Sequence, residues 1–321
     1  MKLGVFTPVF GKLTFDEMLA RVASLRDLQA IEIGTGAWPG SDHIDVDALL
    51  ASPSRAADYR KRITDQGLII SALSCHGNPI HPDAAFARPH DEIFRKTVRL
   101  AGMMGVPVVV TFSGCPGESD AATQPNWVTC PWPPYFLDVL DWQWEKKVVP
   151  YWRAAARFAA DHGVKVALEA HPGFVVYNPE TALRLRAQAG DNVGVNFDPS
   201  HFFWQGIDIP AAIRALGPAI FHFHAKDVAT DPHNVAVNGI IDAKSYRHMA
   251  QRSWLFRSVG WGHDELEWKR IASALRLSGY DYVVSIEHED ALASVDEGLG
   301  NAISMLRRVL LTEPPVEAWW T

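Results

Sequence analysis

Acidic and histidine side chains stand at the ends of four apolar segments in the second half of the chain. The segments VALEAHP, VNFDPSH, FHFHAKD and SIEHED contain, in that order, Glu169, Asp198, the pair His222 and His224, and Glu287. The two histidines are two residues apart and therefore share one face of a strand. Three carboxylates that converge without a counter-ion would repel one another and raise each other's pKa. One divalent cation removes that cost, so the pattern predicts a metal site.

The ligand types narrow the choice of metal. An oxygen-rich set with a single imidazole suits Mn²⁺ first, then Mg²⁺ or Co²⁺, while Zn²⁺ is a further option that oxygen ligands fit less well. Three of these residues also have a purely structural interpretation. Asp198 before Pro199 is typical of an Asx turn, Glu169 could cap the following helix, and His222 could be a hydrogen-bonded residue of the interior. The four positions together, on four successive strand ends, favour the metal.

Other polar residues near these four are candidates for catalysis or substrate binding. His171, two residues beyond Glu169, and His201 are candidate bases or hydrogen-bond partners. Lys226 is a candidate for binding a developing oxyanion, although a surface lysine is the plainer interpretation. Glu289 has the same strand parity as Glu287 and is also a candidate for orienting a metal ligand. The residues predicted to bind substrate are His76, His222, Lys226, Arg257 and Glu289.

The elements that must position these residues alternate along the whole chain. Short apolar segments rich in β-branched and aromatic residues predict strands at 3–6, 30–33, 69–74, 108–112, 166–169, 193–197, 220–224 and 282–287. Amphipathic stretches predict helices at 15–27, 56–66, 91–104, 144–162, 179–189, 210–216, 266–278 and 295–310. Apolar strands joined by helices indicate a parallel sheet. Eight such units favour a single (β/α)8 TIM barrel, an α/β fold whose active site lies at the C-terminal strand ends.

Segments outside the alternation predict extended loops at the C-terminal face of the barrel and a short tail. The loops, 113–136 and 225–265, contain Trp127, Trp132 and Trp254, and long loops at this face usually form lids or walls of a site. We assign residues 1–312 to one barrel domain. The tail, 313–321, contains Trp319 and Trp320, which we expect to dock on the barrel or on another subunit.

Composition limits the partners and the compartment. The net charge of −7 and the pI of about 6.0 argue against a nucleic acid or a membrane as the main partner. The three cysteines show no CxxC spacing and leave one unpaired, which is typical of a reducing compartment. The first residues, MKLGVFTPVF, do not resemble a signal peptide. A cytoplasmic protein is the expectation.

At the four strand ends the chain resembles the sugar phosphate isomerases/epimerases, which are xylose-isomerase-like TIM barrels. The DPSH stretch resembles the family's DxxH pattern, and VGWGHDELEW resembles its glycine-rich lead into the seventh helix. The resemblance implies that one divalent metal is held by Glu169, Asp198, His224 and Glu287. It also implies that Glu169 and Glu287 move a proton α to a substrate carbonyl and that His201 contacts the substrate. The implied activity is isomerisation or epimerisation of a keto-sugar or an oxo-glycoside.

The sequence departs from the ketohexose 3-epimerases of that superfamily. Val175 stands where those enzymes have a substrate-binding glutamate, and Thr230 stands where they have an arginine. The tryptophans of the long loops suggest a substrate larger than a free pentose, or else a subunit interface. The chain is therefore also similar to the barrel subunit of C-glycoside deglycosidases. Those lyases cleave 3-oxo-glycosides by β-elimination and pair the barrel with a small β-rich subunit, so we expect a homo-oligomer or such a hetero-oligomer.

Two other classes of function remain as alternatives. Apurinic-site endonucleases share this barrel and bind three zinc ions, and His76, Asp231 and His233 faintly resemble their ligands. The fourth strand, however, ends in TFSG without a histidine, and the acidic charge balance disfavours DNA. A metal-free binding protein on the same scaffold is the other alternative, which metal analysis of the purified protein distinguishes from an enzyme.

Overall fold

A closed barrel of parallel strands forms the centre of the computed structural model, which describes residues 1–320. The strands are β1 (Lys2–Phe6), β2 (Ala30–Gly34), β3 (Ile69–Ser74), β4 (Val108–Phe112), β5 (Lys165–Glu169), β6 (Val193–Phe197), β7 (Ile220–Ala225), β8 (Asp227–Thr230), β9 (Trp254–Arg257) and β10 (Val283–Ile286). Strands β1 to β7 follow one another around the barrel, and β10 closes it between β7 and β1. Strands β8 and β9 form a separate antiparallel pair. The predicted TIM barrel is confirmed.

Helices connect the barrel strands and cover the outside of the barrel. They are α1 (Phe15–Ser24), α2 (Val46–Leu50), α3 (Pro53–Thr64), α4 (Ala84–Met104), α5 (Tyr135–Trp142), α6 (Val149–Asp161), α7 (Pro179–Ala189), α8 (Pro199–Phe203), α9 (Ile209–Leu216), α10 (Pro232–Asn238), α11 (Glu265–Leu277) and α12 (Val295–Val309). The first part of the predicted 144–162 helix is π-helical, because the stretch Gln143–Val148 joins α5 to α6 without a break. Helices α2, α5, α8 and α10 are short elements that the periodicity did not predict.

Side chains alternate along the strands, so that near the C-terminal strand ends the outer face of the barrel is apolar and the inner face is polar. Phe197 and Phe223, paired on β6 and β7, stack with ring centroids 5.5 Å apart and an interplanar angle of 6°. Both are fully buried, as suits residues that pack under helices. The neighbouring residues on the same strands point the other way. This parity places His222 and His224 in the barrel interior, as their spacing predicts.

Two aspartates anchor the long loop that follows β7. One carboxylate oxygen of Asp227 accepts hydrogen bonds of 3.0 to 3.1 Å from three backbone N–H groups within residues 260–263. Asp290, beyond β10, accepts a 2.8 Å bond from the backbone N–H of Ser258. Buried carboxylates need such donors. The antiparallel pair β8 and β9 is thereby fixed above the C-terminal end of the barrel.

The end of the chain beyond α12 contains no helix or strand as far as Trp320. The side chains of Trp319 and Trp320 are 83% and 68% exposed, and their rings contact each other with centroids 5.7 Å apart. Docking of this tail on another subunit stays a prediction. Separately, none of the helices within residues 1–320 is long and apolar enough to cross a membrane.

Candidate metal centre

Four residues from consecutive strand ends converge at the C-terminal face. Glu169 is the last residue of β5, Asp198 follows β6 and caps α8, His224 lies on β7, and Glu287 follows β10. One ligand atom from each lies within 4.8 Å of the others. Three of the four are almost completely buried, and the Glu287 side chain is 14% exposed. These are the four residues from which the sequence predicts a metal site.

The two nitrogens of His224 face different partners. Nδ1 lies 2.9 Å from an oxygen of Glu287 and 3.1 Å from an oxygen of Glu169, so it belongs to the cluster. Nε2 points away and donates to the carboxylate of Glu32, with N···O distances of 2.8 and 3.0 Å. A histidine that donates one N–H to a carboxylate presents its other nitrogen in a fixed orientation, as metal-binding histidines usually do. Nδ1 is therefore the atom available to a metal.

Glu32 is a site residue that the sequence analysis did not identify. It is completely buried on β2 and also accepts hydrogen bonds from the hydroxyls of Ser74 and Ser285. Burial opposes its ionisation, but the nearby imidazoles of His224 and His222 outweigh burial and lower its pKa to about 2. A signal was present in the sequence: a carboxylate inside AIEIG, a strand buried along its whole length, requires a partner.

The donor set and the surroundings of Asp198 fit a divalent cation. Three carboxylates and one imidazole are ligands that Mn²⁺, Mg²⁺ and related ions accept. Asp198 uses Oδ1 to accept a 2.8 Å bond from the backbone N–H of Ser200, which is the Asx-type turn that its sequence suggests. Its Oδ2 is buried and makes no hydrogen bond of good geometry, although Lys226 Nζ lies 3.0 Å away and His201 Nε2 lies 3.3 Å away. Burial raises the pKa of Asp198. A buried carboxylate oxygen without a well-directed hydrogen bond is costly, and a metal would satisfy it.

Lys226 supplies the positive charge nearest to this cluster. Its Nζ lies 2.8 Å from Glu287, 3.0 Å from Asp198 and 3.0 Å from Glu289. The side chain is 2% exposed, so the surface-lysine interpretation does not hold. Burial alone would lower the pKa of Lys226, but the three carboxylates hold it well above the usual value. The ammonium group is therefore charged and borders the proposed metal site.

Three histidines surround Glu169. Its two oxygens lie 3.1 Å from His76 Nε2 and 3.2 Å from His201 Nε2. Although burial opposes ionisation, the hydrogen bonds from His201, His224 and His76 keep the pKa of Glu169 well below its ordinary value. His171 packs on His201 with ring centroids 4.0 Å apart. Burial, reinforced by the neighbouring His201, lowers the pKa of His171 to about 3, so this imidazole is neutral at physiological pH.

A cavity of about 310 Å³ opens beside these residues. Its polar wall contains four of the predicted site residues: His76, Glu169, Glu287 and Glu289. Its apolar wall contains residues that the sequence analysis did not single out: Phe6, Pro8, Val9, Trp38, Pro39 and Phe112.

Three of the predicted substrate-binding residues, His222, Lys226 and Arg257, do not line this cavity. His222 lies deeper in the barrel, where its ring nitrogens contact Asn196 and Ser71, and burial lowers its pKa to about 4. It is the hydrogen-bonded interior histidine of the alternative interpretation. Arg257 pairs with Asp290 at 3.2 Å and helps to hold the loop above the barrel.

The loop tryptophans also differ from their expected place in the wall of the site. Trp254 is buried and stacks on Trp204 with centroids 4.9 Å apart. Trp127 packs edge-on against Tyr177, and Trp132 is 73% exposed. None of the three lines the cavity. Within residues 1–320, Trp38 is the tryptophan that lines it.

The comparisons with known proteins agree with this architecture. A model of the xylose isomerase-like TIM barrel family matches residues 19–309. The uncharacterized protein YfiH of Bacillus subtilis is 38% identical over 313 residues, which are 97% of this chain and 99% of that protein. Inosose dehydratase of Yersinia enterocolitica is 29% identical over 149 residues, 46% of this chain and 47% of the enzyme.

A solved structure of the IOLI protein with a bound zinc atom superposes with a TM-score of 0.64 at 21% identity and covers 97% of this chain and 98% of that one. At this identity the likeness concerns the fold. The matched family model extends over nearly the whole barrel. The chain belongs to the xylose isomerase-like TIM barrel family, as the residues at its strand ends predict.

Proposed function

We propose that this protein is a divalent-metal-dependent enzyme that removes the proton α to the carbonyl of a keto-sugar or an oxo-glycoside and acts as an isomerase or epimerase. The observation that carries the proposal is the convergence of Glu169, Asp198, His224 and Glu287, with ligand atoms within 4.8 Å of one another. The buried Oδ2 of Asp198, which makes no well-directed hydrogen bond, supports it further. We propose Mn²⁺ as the metal. The zinc named in the IOLI structure makes Zn²⁺ the first alternative.

A divalent cation held by these four residues would act as a Lewis acid that polarises the substrate carbonyl and stabilises the negative charge left by the α-proton. Among the chain's own groups, Glu287 is the proposed base. It lines the cavity, and although burial opposes ionisation, Lys226 and His224 keep its pKa well below normal, so it is ionised. Glu169 is the second proposed proton carrier, and its bonds to three histidines fix its orientation.

The remaining polar groups are proposed to bind and orient the substrate. Lys226 is suited to an oxygen that becomes negative during the reaction, because its charged amine borders the same carboxylates. His76 and Glu289 line the cavity and are suited to substrate hydroxyls. Neutral His171 and its neighbour His201 are proposed to accept or donate a proton next to Glu169.

Elimination is the second candidate outcome of the same proton abstraction. The similarity to an inosose dehydratase favours it, and so does the contact between His171 and His201, because a leaving hydroxyl needs a proton donor. A lyase of the C-glycoside deglycosidase type, with a small β-rich partner, is one form of this candidate. The exposed Trp319 and Trp320 are a proposed contact for a partner or a second copy. The free cysteines Cys75, Cys115 and Cys130 support the proposed cytoplasmic location.

The test is proton exchange in D₂O with a panel of ketoses and 3-oxo-glycosides, before and after metal removal and Mn²⁺ addition. We expect at least one substrate to acquire deuterium at the carbon next to its carbonyl, only when metal is present. Glu287→Gln keeps the shape of the side chain but removes its charge, so exchange should fall by several orders of magnitude. Glu145→Gln, an exposed glutamate of the π-helical stretch, is the matched control.

The products separate the two candidates. Isomerisation or epimerisation gives a new ketose or aldose of the same mass, whereas elimination gives an unsaturated product that absorbs in the ultraviolet. Absence of exchange with every member of the panel in the Mn²⁺-loaded protein would contradict the proposal, as would exchange that Glu287→Gln leaves unchanged.

A further inference from the structure

Trp38 is placed unusually for a tryptophan. It is 52% exposed, yet it lines the cavity that also contains Glu169 and Glu287. An indole buries a large apolar surface when it is covered, so leaving half of it in water forgoes stabilisation. An exposed aromatic at the mouth of a polar site is typical of a surface that a ligand covers.

The backbone around Trp38 is held in a costly conformation. Ala37, the residue before it, has a φ of 56°, and it is the one non-glycine residue with positive φ in the described part of the chain. Gly36 has a φ of 145°, and a Cβ there would lie 2.6 Å from the side chain of Ile93. The N–H of Trp38 donates to the carbonyl of His76, at 3.1 Å. Strain of this kind persists where the surrounding structure enforces it and is concentrated at functional sites.

Other aromatic rings pack against the indole. Phe112 and Phe174 stack in parallel, with centroids 4.4 Å apart and an angle of 15°. Trp38 lies 5.6 Å from the first and 5.8 Å from the second. Phe112 in turn contacts the rings of His76 and His171, at 4.6 and 5.0 Å. The aromatic surface is therefore continuous with the polar residues around Glu169.

The chemistry of this arrangement selects a ligand with two different sides. A six-membered ring that bears hydroxyls at its edge has faces of C–H bonds, which pack on aromatic rings, and an edge of oxygens for a metal and for Lys226. An open-chain polyol has no fixed C–H face of that kind. The cavity of about 310 Å³ lies at the lower end of the range for ligand pockets and suits one ring.

We propose that Trp38, backed by Phe112 and Phe174, stacks on the C–H face of a six-membered ring, so that the enzyme selects cyclic keto-polyols or ring-form oxo-sugars over open-chain ketoses. This inference rests on the proposed function, because it assigns the substrate class of the same site. It makes Trp38 a specificity residue in the loop after β2, whereas the proposed chemistry is carried by residues on or just after β5 to β7 and β10.

The experiment compares two probes with the same number of carbons and hydroxyls, myo-inositol as the ring and D-glucitol as the open chain. Their dissociation constants are measured on Mn²⁺-loaded protein. The wild type should bind the ring more tightly. Trp38→Ala should weaken myo-inositol binding by about three- to tenfold, the range for a lost aromatic contact, and change D-glucitol binding less. Trp132→Ala, which removes an exposed tryptophan outside the cavity, is the matched control and should change neither.

A second variant and a second measurement separate stacking from a structural role. Trp38→Leu keeps apolar volume and should fold even if the alanine variant does not, yet it lacks an aromatic face and should lose the preference for the ring. In saturation-transfer NMR, irradiation of aromatic protons should reach the C–H protons of bound myo-inositol in the wild type and in Trp132→Ala. In Trp38→Leu this transfer should drop strongly.

The failure of this inference is distinguishable from the failure of the proposed function, because Mn²⁺ binding is measured on the same samples by electron paramagnetic resonance. Wild-type protein that binds no Mn²⁺ contradicts the proposed function. Protein that binds Mn²⁺ but shows no preference for the ring, or whose preference survives Trp38→Leu, overturns the stacking inference alone.

Discussion

Replacement of Glu32 tests whether the buried carboxylate on β2 orients a metal ligand or only stabilises the barrel. Glu32 accepts the Nε2–H of His224 at 2.8 and 3.0 Å, while Nδ1 of the same ring faces Glu169 and Glu287. A hydrogen bond to a charged group contributes about 1.5–3 kcal/mol. Glu32→Gln keeps an acceptor oxygen but loses the charge. We expect about half of that contribution to be lost, about 0.75–1.5 kcal/mol, which weakens Mn²⁺ binding about three- to tenfold.

Glu32→Leu removes the acceptor as well and should weaken Mn²⁺ binding by about 10- to 100-fold, the range for deleting a partner that orients a metal ligand. The assay is the Mn²⁺ dissociation constant, measured by electron paramagnetic resonance, together with the thermal midpoint of the metal-free protein. Asp227→Asn is the matched control: Asp227 is also completely buried and accepts several hydrogen bonds, but from the loop at 260–263.

The control variant should lower the thermal midpoint and leave the Mn²⁺ dissociation constant unchanged. The reasoning is refuted if Glu32→Leu lowers the midpoint as the control does while Mn²⁺ affinity stays at the wild-type value. Glu32 would then be a structural carboxylate, and the orientation of His224 would not depend on it.

Three further predictions concern the ligand set, the lysine and the helix layer. His224→Ala should no longer bind one Mn²⁺ per chain. Its circular dichroism spectrum should match that of the wild type, since residues at this rim serve function more than stability. If the variant still binds the metal, His224 is not a ligand. Lys226→Met keeps the length of the side chain but removes the charge between Asp198 and Glu287. The kcat for any substrate identified by deuterium exchange should therefore fall. An unchanged kcat would show that Lys226 has no role in the reaction. Trp152→Ala removes a completely buried indole that donates to the carbonyl of Ser113. It should lower the free energy of unfolding, measured by urea titration, by about 3–5 kcal/mol. A loss under about 1 kcal/mol would show that the helix layer repacks.

Much of the fold and the metal ligand set can be predicted from the sequence because the relevant information is local. Side chains alternate every residue along a strand, so VALEAHP or FHFHAKD already tells which residues share a face. Parallel strands of a barrel end at one rim, so polar residues at consecutive strand ends must lie near one another. Capping is local too: Thr14 and Glu17, three residues apart, form the capping box of α1.

The tertiary structure alone decided which of the other candidates reach the site. His222 and His224 have the same parity, and only their depth in the barrel separates the interior residue from the residue of the proposed metal site. Arg257 and the loop tryptophans were expected near the cavity because their loops lie at that face. Yet the course of a long loop depends on its anchors, here Asp227 and Asp290. Trp38 was overlooked because nothing in GAWPG indicates what its ring contacts.

Glu32 shows most directly what the sequence determined and what it did not. The sequence determined that a carboxylate lies inside an apolar strand and therefore needs a partner. The partner is His224, 192 residues away in the chain and on a strand that does not adjoin β2. The two meet only because closure of the barrel turns both side chains into one interior. Hydrophobic periodicity in the sequence indicates which face of a helix or strand is buried. Which residues meet across the barrel interior depends on strand order and register, and these are properties of the assembled barrel.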